Sequence, residues 1–95
     1  MLLFKHQLAA LSRLPYIFNQ EFVGSPEFRV ERLRKNAARA GIQVEGDAES
    51  GRFSGHGLRG TYRFKPNLVE VTIEALPPLR GVKKAERQIQ DFLRS

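Results

Sequence analysis

The chain has 95 residues, of which 41% are hydrophobic and 27% charged, and this composition predicts one globular domain rather than a disordered chain. It contains no cysteine, which excludes disulfides, thiolate zinc ligands and a thiol nucleophile and favours the reducing cytoplasm. The net charge of +6 favours an anionic partner, and no apolar run approaches the ~20 residues of a transmembrane helix.

An apolar stripe at helical spacing opens the sequence. If residues 2–14 form a helix, five apolar side chains share one side of it before Pro15 ends the pattern. The stripe consists of Leu3, Phe4, Leu8, Leu11 and Leu14. Two interpretations stay open: the segment packs on its own domain or on a second copy in a homo-oligomer, or it lies on a lipid or polymer surface. Lys5 and His6 interrupt the apolar run, so no signal peptide is expected.

Residues 15–23 are rich in aromatic and β-branched side chains, which favours a strand, here an edge strand. In the following letters, GSPEF, Ser25 is a suitable N-cap and Pro26 a suitable first helical residue. The same letters resemble a cloning-site linker, and in that interpretation residues 1–24 would be partly non-native. We therefore divide the chain into a segment of residues 1–24 and a single domain of residues 25–95.

Two amphipathic helices are predicted, one before and one after a set of strands. Residues 27–40 have an apolar face and end at Gly41, a suitable C′ residue, and a second apolar stripe runs from Val82 to Leu93. The candidate basic binding face on the opposite sides of these helices consists of Arg32, Lys35, Arg39, Lys83, Lys84 and Arg87. It would be one positive surface if both helices cover the same side of the sheet. A solvated surface without a partner is the alternative.

Between the helices the hydrophobic period changes to two, as in strands. Ile42 and Val44 begin a strand, residues 45–51 form a turn, and residues 52–65 and 68–75 alternate as a hairpin. One register satisfies both faces of this hairpin. It pairs Phe64 with Val69, Tyr62 with Val71 and Gly60 with Ile73 on the apolar face, and Arg63 with Glu70 and Arg59 with Glu74 on an ion-paired polar face.

These elements predict an α+β fold. We expect an antiparallel sheet of three or four strands, with two helices packed on one face and an amphipathic N-terminal segment.

Three glycines have the spacing G-x-G-x-x-G of dinucleotide-binding loops, at Gly55, Gly57 and Gly60. Such a loop needs a helix N-terminus directly after it, whereas the following TYRFK alternates as a strand. We predict instead that Gly55 and Gly57 form a bend or bulge in a long strand, and that Gly60 allows close packing over the sheet.

Other candidate sites lack essential partners. Neither His6 nor His56 has a carboxylate at the spacing of a metal site or a catalytic triad. Glu45, Asp47 and Glu49 alternate as calcium ligands do, but the required glycine position and closing Glu are missing. We therefore predict no catalytic residue, no cofactor and no metal, and a protein that is not an enzyme.

Several stretches follow one another in a distinctive order. They are Gly46-Asp47 after a strand, the glycine-containing RFSGHGLRGTYRF, the alternating NLVEVTIEAL and the amphipathic PPLRGVKKAERQIQDFL. Over about residues 28–95 this order resembles the polyhydroxyalkanoic acid system proteins, a small family encoded near bacterial polyester-storage genes. The N-terminus departs from the family pattern, since Pro15 and GSPEF interrupt it. The resemblance implies a non-enzymatic accessory protein of polyhydroxyalkanoate storage granules in a bacterial cytoplasm, and it carries over no active residues.

The leading hypothesis is accordingly a protein that binds the polyester granule surface or another granule protein, with the N-terminal stripe as the surface-binding element. Two alternatives stay open. One is a nucleic-acid-binding module that uses the basic helical face, and the other is a structural or oligomerisation domain in which residues 2–14 pair between chains.

Overall fold

Strand, helix, four strands and helix follow one another in the computed structural model, which describes residues 14–94. The elements are β1 (Tyr16–Glu21), α1 (Pro26–Arg39), β2 (Gln43–Gly46), β3 (Ser50–Gly55), β4 (Leu58–Lys65), β5 (Leu68–Ala75) and α2 (Val82–Arg94). The strands form one antiparallel sheet in the order β1-β5-β4-β3-β2. The α+β class is confirmed, but the sheet has five strands, so the predicted number of three or four is wrong.

The additional strand arises at the glycine motif. Gly55 pairs with Leu58, and the two residues between them have positive φ angles, +53° at His56 and +86° at Gly57. Two successive left-handed residues make a tight hairpin turn of the type I′ class, which matches the twist of the flanking strands. The predicted bend in one long strand is therefore wrong, because the chain reverses there and forms β3 and β4.

The register predicted for the β4–β5 hairpin is confirmed from Gly60 to Lys65. A shift between Arg59 and Gly60 then places Arg59 opposite Ala75 rather than Glu74. The bulge explains why counting alternate residues fails at this end, since one extra residue on a strand breaks the two-residue period.

Both ends of α1 agree with the sequence prediction. The side chain of Ser25 accepts a hydrogen bond of 3.1 Å from the backbone N–H of Phe28, and Pro26 is the first helical residue. At the other end Gly41 has φ +78°, and the N–H groups of Gly41 and Ile42 donate to Ala38 and Ala37. This pair of bonds is a Schellman motif, which ends the helix and turns the chain into β2.

Both helices cover the same side of the sheet. Val30, Leu33 and Ala37 of α1 and Ala85, Ile89 and Leu93 of α2 belong to one apolar cluster that includes residues of every strand. Gly60 lies under this layer, where an added Cβ would collide with the ring of Phe53 and the carbonyl oxygen of Thr72. The predicted close packing at Gly60 is thus confirmed, and the group that packs there is Phe53 of the neighbouring strand.

The strand predicted within residues 15–23 is confirmed as β1, at the edge of the sheet beside β5. Its Phe18 is buried in the core, and Leu14 packs against the same core. Residues that precede GSPEF therefore contribute to the core of the domain. The other stripe residues, Leu3, Phe4, Leu8 and Leu11, lie outside the described residues.

Candidate anion-binding surface

The two helices lie side by side and are joined by polar side chains of α1. The guanidinium of Arg29 donates to the backbone oxygen of Leu93 at 2.9 Å, and the amide of Asn36 donates to that of Phe92 at 2.8 Å. These bonds satisfy carbonyl groups that the last turn of α2 would otherwise leave without intrahelical donors. The outer sides of both helices therefore form one continuous layer.

Four exposed cations on this layer have no hydrogen bond or ion pair within residues 14–94. They are Lys35 and Arg39 of α1 and Lys84 and Arg87 of α2, and we call these four residues the outer helical surface. Because no carboxylate neutralises them, their charges remain available to an external anion.

The structure separates the two remaining members of the predicted basic face from these four. Arg32 is half-buried, and its guanidinium lies 5.7 Å from the centre of the Phe28 ring. Lys83 donates to the hydroxyl of Tyr16 at 3.2 Å and lies 3.9 Å from the carboxylate of Glu86. The Tyr16 hydrogen bond, with a smaller contribution from the Glu86 charge, raises the pKa of Lys83. Lys83 thus points toward β1 and holds the start of α2 against the edge strand.

The opposite side of the sheet, which neither α1 nor α2 covers, has several cations, and most of them are paired. Three ion pairs lie on it, between Arg52 and Glu45 at 3.1 Å, Arg59 and Glu74 at 3.6 Å, and Lys65 and Glu70 at 3.6 Å. The predicted ion-paired face is confirmed, although Glu70 bonds Lys65 rather than the directly opposite Arg63. We call this side the open sheet surface; it forms a shallow depression of about 720 Å³.

The acidic turn after β2 has a structural role. The carboxylate of Asp47 accepts hydrogen bonds from the backbone N–H groups of Glu49 at 2.9 Å and Ser50 at 3.1 Å. These two bonds, the first contributing more, lower the pKa of Asp47 below its ordinary value of 3.8. Glu45 is bonded to Arg52 instead. Within residues 14–94, no group of three or more His, Asp or Glu side chains is arranged to hold a metal ion.

The glycine motif does not adopt the geometry of a nucleotide-binding loop. It joins two antiparallel strands, and the strand β4, not a helix, follows it. His56 is exposed in the turn and lies against Gly41 at the end of α1. In the described part of the chain no helix is long and apolar enough to cross a membrane.

The sequence interpretation missed Arg29, a half-buried cation of α1 whose nearest acceptors are all backbone carbonyl groups. Helical periodicity places Arg29 beside the apolar face of α1, but it does not identify the partner helix. The only sequence signal for this role is the position of Arg29 at the border of the apolar face of α1.

Comparison with known proteins identifies no relative. No family model matches the chain, and it matches no curated protein and no solved structure.

Proposed function

We propose that this protein is a non-enzymatic binding protein that attaches to polyester storage granules through its outer helical surface. The observation that carries the proposal is the contrast in pairing between two exposed surfaces. The cations of the open sheet surface are mostly neutralised by glutamates, whereas the four cations of the outer helical surface are not. The support for a granule as the target is the family resemblance of residues 28–95.

Attachment through these four cations requires an anionic coat on the granule, and an anionic lipid layer gives the scale of the interaction. A cation close to an anionic lipid surface contributes about 1 kcal/mol, so four adjacent cations contribute on the order of 4 kcal/mol before salt screening. The contribution decays within the Debye length of about 8 Å at physiological ionic strength. Attachment by this surface therefore requires close contact, and added salt weakens it.

The test is co-sedimentation of the purified protein with isolated granules. The helical variant changes Lys35, Arg39, Lys84 and Arg87 to Ala. The matched control changes Arg52, Arg59, Arg63 and Lys65 to Ala, which removes the same charge from the open sheet surface. We expect the helical variant to bind about 100-fold more weakly and the control to change by less than about threefold. Equal losses in both variants would contradict the use of this surface, and no sedimentation of the wild type would reject granule binding.

The N-terminal stripe is tested by a separate variant that lacks residues 2–13. Cutting at residue 24 would also remove β1 and its core residue Phe18, so the deletion must stop before Leu14. If the stripe is the surface-binding element, this variant loses granule binding while the outer helical surface is intact. Light scattering of the same variant tests whether residues 2–13 are needed for any homo-oligomer.

A second candidate function, nucleic-acid binding, is favoured by one additional observation. Phe28, near the start of α1, is 54% exposed, and the guanidinium groups of Arg29 and Arg32 lie 5.4 and 5.7 Å from its ring centre. Exposed aromatic rings beside cations can stack on unpaired bases. The affinity for labelled single-stranded DNA is measured as a function of salt concentration, and the slope of log K against log salt should be smaller by about 3 in the helical variant than in the wild type. An unchanged slope, or no binding at low salt, rejects this candidate.

A further inference from the structure

A cavity of about 230 Å³ lies between the end of β1, the start of α1 and the end of α2. Its apolar lining comes from Phe22, Val23, Val69 and Leu93, and Arg29 supplies a positive charge. The cavity lies on the helix-covered side of the sheet and involves none of the four cations of the outer helical surface. It is therefore a separate candidate site.

Arg29 lies in the cavity wall and uses only some of its hydrogen-bond donors. Its Nη1 donates to the backbone oxygens of Leu93 at 2.9 Å and Arg94 at 3.3 Å, and its Nη2 donates to that of Val23 at 3.3 Å. Its Nε is buried and has no acceptor among residues 14–94. All three acceptors are neutral, and no carboxylate within residues 14–94 forms an ion pair with this guanidinium.

The terminal carbonyl groups of α2 carry partial negative charge and hold this cation, but a buried N–H group without an acceptor is costly, and that cost applies to the Nε of Arg29. An anion placed beside it gains more than it would in water, because the local dielectric constant is lower. The Nε–Nη2 edge of a guanidinium also matches the two oxygens of a carboxylate. On this edge of Arg29 the Nε–H group has no acceptor among residues 14–94, and the hydrogen bond from Nη2 is long. Both groups can therefore donate to the oxygens of a carboxylate ligand.

A ligand can bond Nη2 only if the Val23 carbonyl, its present acceptor, moves away. Val23 is 85% exposed, and the next residue, Gly24, has φ +98° and no atom near the position of a Cβ. Among residues 14–94, no atom near the Cβ position of Gly24 blocks a shift of the Val23 carbonyl away from Nη2. At the rim of the cavity Arg94 lies 3.9 Å from the carboxylate of Asp91, so Arg29 is the cation of the lining with which no carboxylate of residues 14–94 pairs.

We propose that this cavity binds a small organic acid with one carboxylate and a short aliphatic chain. The carboxylate bonds the Nε–Nη2 edge of Arg29, and the chain lies against Phe22, Val69 and Leu93. Glu21 at the rim disfavours a second carboxylate on the same ligand. The chemistry thus selects a monocarboxylate that has an aliphatic chain over an alcohol of equal chain length, over acetate, which lacks the chain, and over a dicarboxylate.

The experiment is an NMR titration of the full chain with hexanoate, observing the backbone amides and the Arg29 Nε–H signal. Hexanol has the aliphatic chain of the ligand without its charge, and acetate has the charge without the long aliphatic chain. Adipate adds a second carboxylate. We expect saturable shifts at Val23, Arg29 and Leu93 with hexanoate, and at least about tenfold weaker binding of the other three probes. Equal binding of hexanoate and hexanol, or hexanoate shifts that leave these three residues unmoved, would overturn the proposal.

A variant pair at an exposed residue keeps the proposal testable, because Arg29→Ala removes bonds that hold α2 and can unfold the protein. Val23→Glu brings a carboxylate to the cavity mouth, where it competes for Arg29, whereas Val23→Gln has the same shape without the charge. We expect V23E to weaken hexanoate binding at least about tenfold and V23Q to change it less than about threefold. Equal affinities of the two variants would contradict the site. The helical variant described above should bind hexanoate normally, whatever the outcome of the granule test.

Discussion

The two sides of the sheet have opposite chemistry. On the covered side Val69, Val71 and Ile73 of β5 are at most 1% exposed, and no charged side chain of residues 14–94 is buried. On the open side β5 presents Thr72 and two glutamates. Glu74 and Glu70 pair with Arg59 and Lys65 of the neighbouring strand β4. The free energy of folding therefore comes chiefly from one side, since apolar burial contributes far more than exposed ion pairs. The open side tolerates substitution, and changes there should test function with little effect on folding.

The largest effect is expected on the covered side, at Gly60. Gly60→Ser adds a Cβ where the carbonyl oxygen of Thr72 and the ring of Phe53 leave no room, and it should lower the free energy of unfolding by about 3 kcal/mol. Gly81→Ser adds the same atoms in open space just before α2, and it should change stability by less than about 0.5 kcal/mol. Urea unfolding followed by circular dichroism measures both. Similar midpoints for the two variants would show that the covered side is not tightly packed at Gly60.

A smaller effect is expected at the border of the covered side. Arg29→Ala removes the charged donor to three backbone carbonyls, two of them in the last residues of α2, and should cost about 2 kcal/mol. Arg39→Ala is the matched control, because Arg39 lies on the same helix without a partner in the described residues, and it should cost less than about 0.5 kcal/mol. Thermal unfolding compares the two. A cost at Arg39 equal to that at Arg29 would contradict the bonding role of Arg29.

A still smaller effect is expected on the open side. A double-mutant cycle with Arg52→Ala and Glu45→Ala should give a coupling energy below about 1 kcal/mol, because both side chains are more than half exposed. The measurement is again the free energy of unfolding in urea. A coupling above about 2 kcal/mol would mean that the open side contributes to stability as the covered side does.

The smallest effect concerns the pH dependence of stability, which we assign to Asp47 in the turn between β2 and β3. The pKa of Asp47 is lower in the folded protein, chiefly through the N–H of Glu49 and then that of Ser50. Its stabilisation is therefore fully present above the unfolded pKa of about 4 and is lost as the pH falls through the lower folded value. Asp47→Asn keeps an acceptor oxygen but does not titrate. The difference in melting temperature between wild type and D47N should shrink from pH 5 to pH 2, and a constant difference would contradict this assignment.

Sequence patterns among residues that are close to one another in the chain predicted much of the fold. The alternation of β4 and β5 determined their register from Gly60 to Lys65, and Ser25 and Gly41 determined the ends of α1. The hairpin turn at His56 and Gly57 was missed because type I′ turns are typically signalled by Asn-Gly, Asp-Gly or Gly-Gly, and here histidine precedes the glycine.

The candidate sites depended on contacts between distant segments, which periodicity does not reveal. The six-residue basic face was predicted to be one surface on the condition that both helices cover the same side of the sheet, as they do. Which of its cations would be engaged elsewhere could not be predicted. Lys83 bonds Tyr16 across 67 positions, and Arg29 bonds Leu93 across 64.

The pairing of β1 with β5 has a consequence for synthesis on the ribosome. Phe18 lies opposite Val71, which is translated 53 residues later, and at about 5–20 residues per second this takes roughly 3–10 s. During that time the first strand has no partner and an exposed phenylalanine, so it is a target for chaperones or for the same strand of a neighbouring nascent chain. Slower translation between β1 and β5 should therefore lower the soluble yield of this protein in cells.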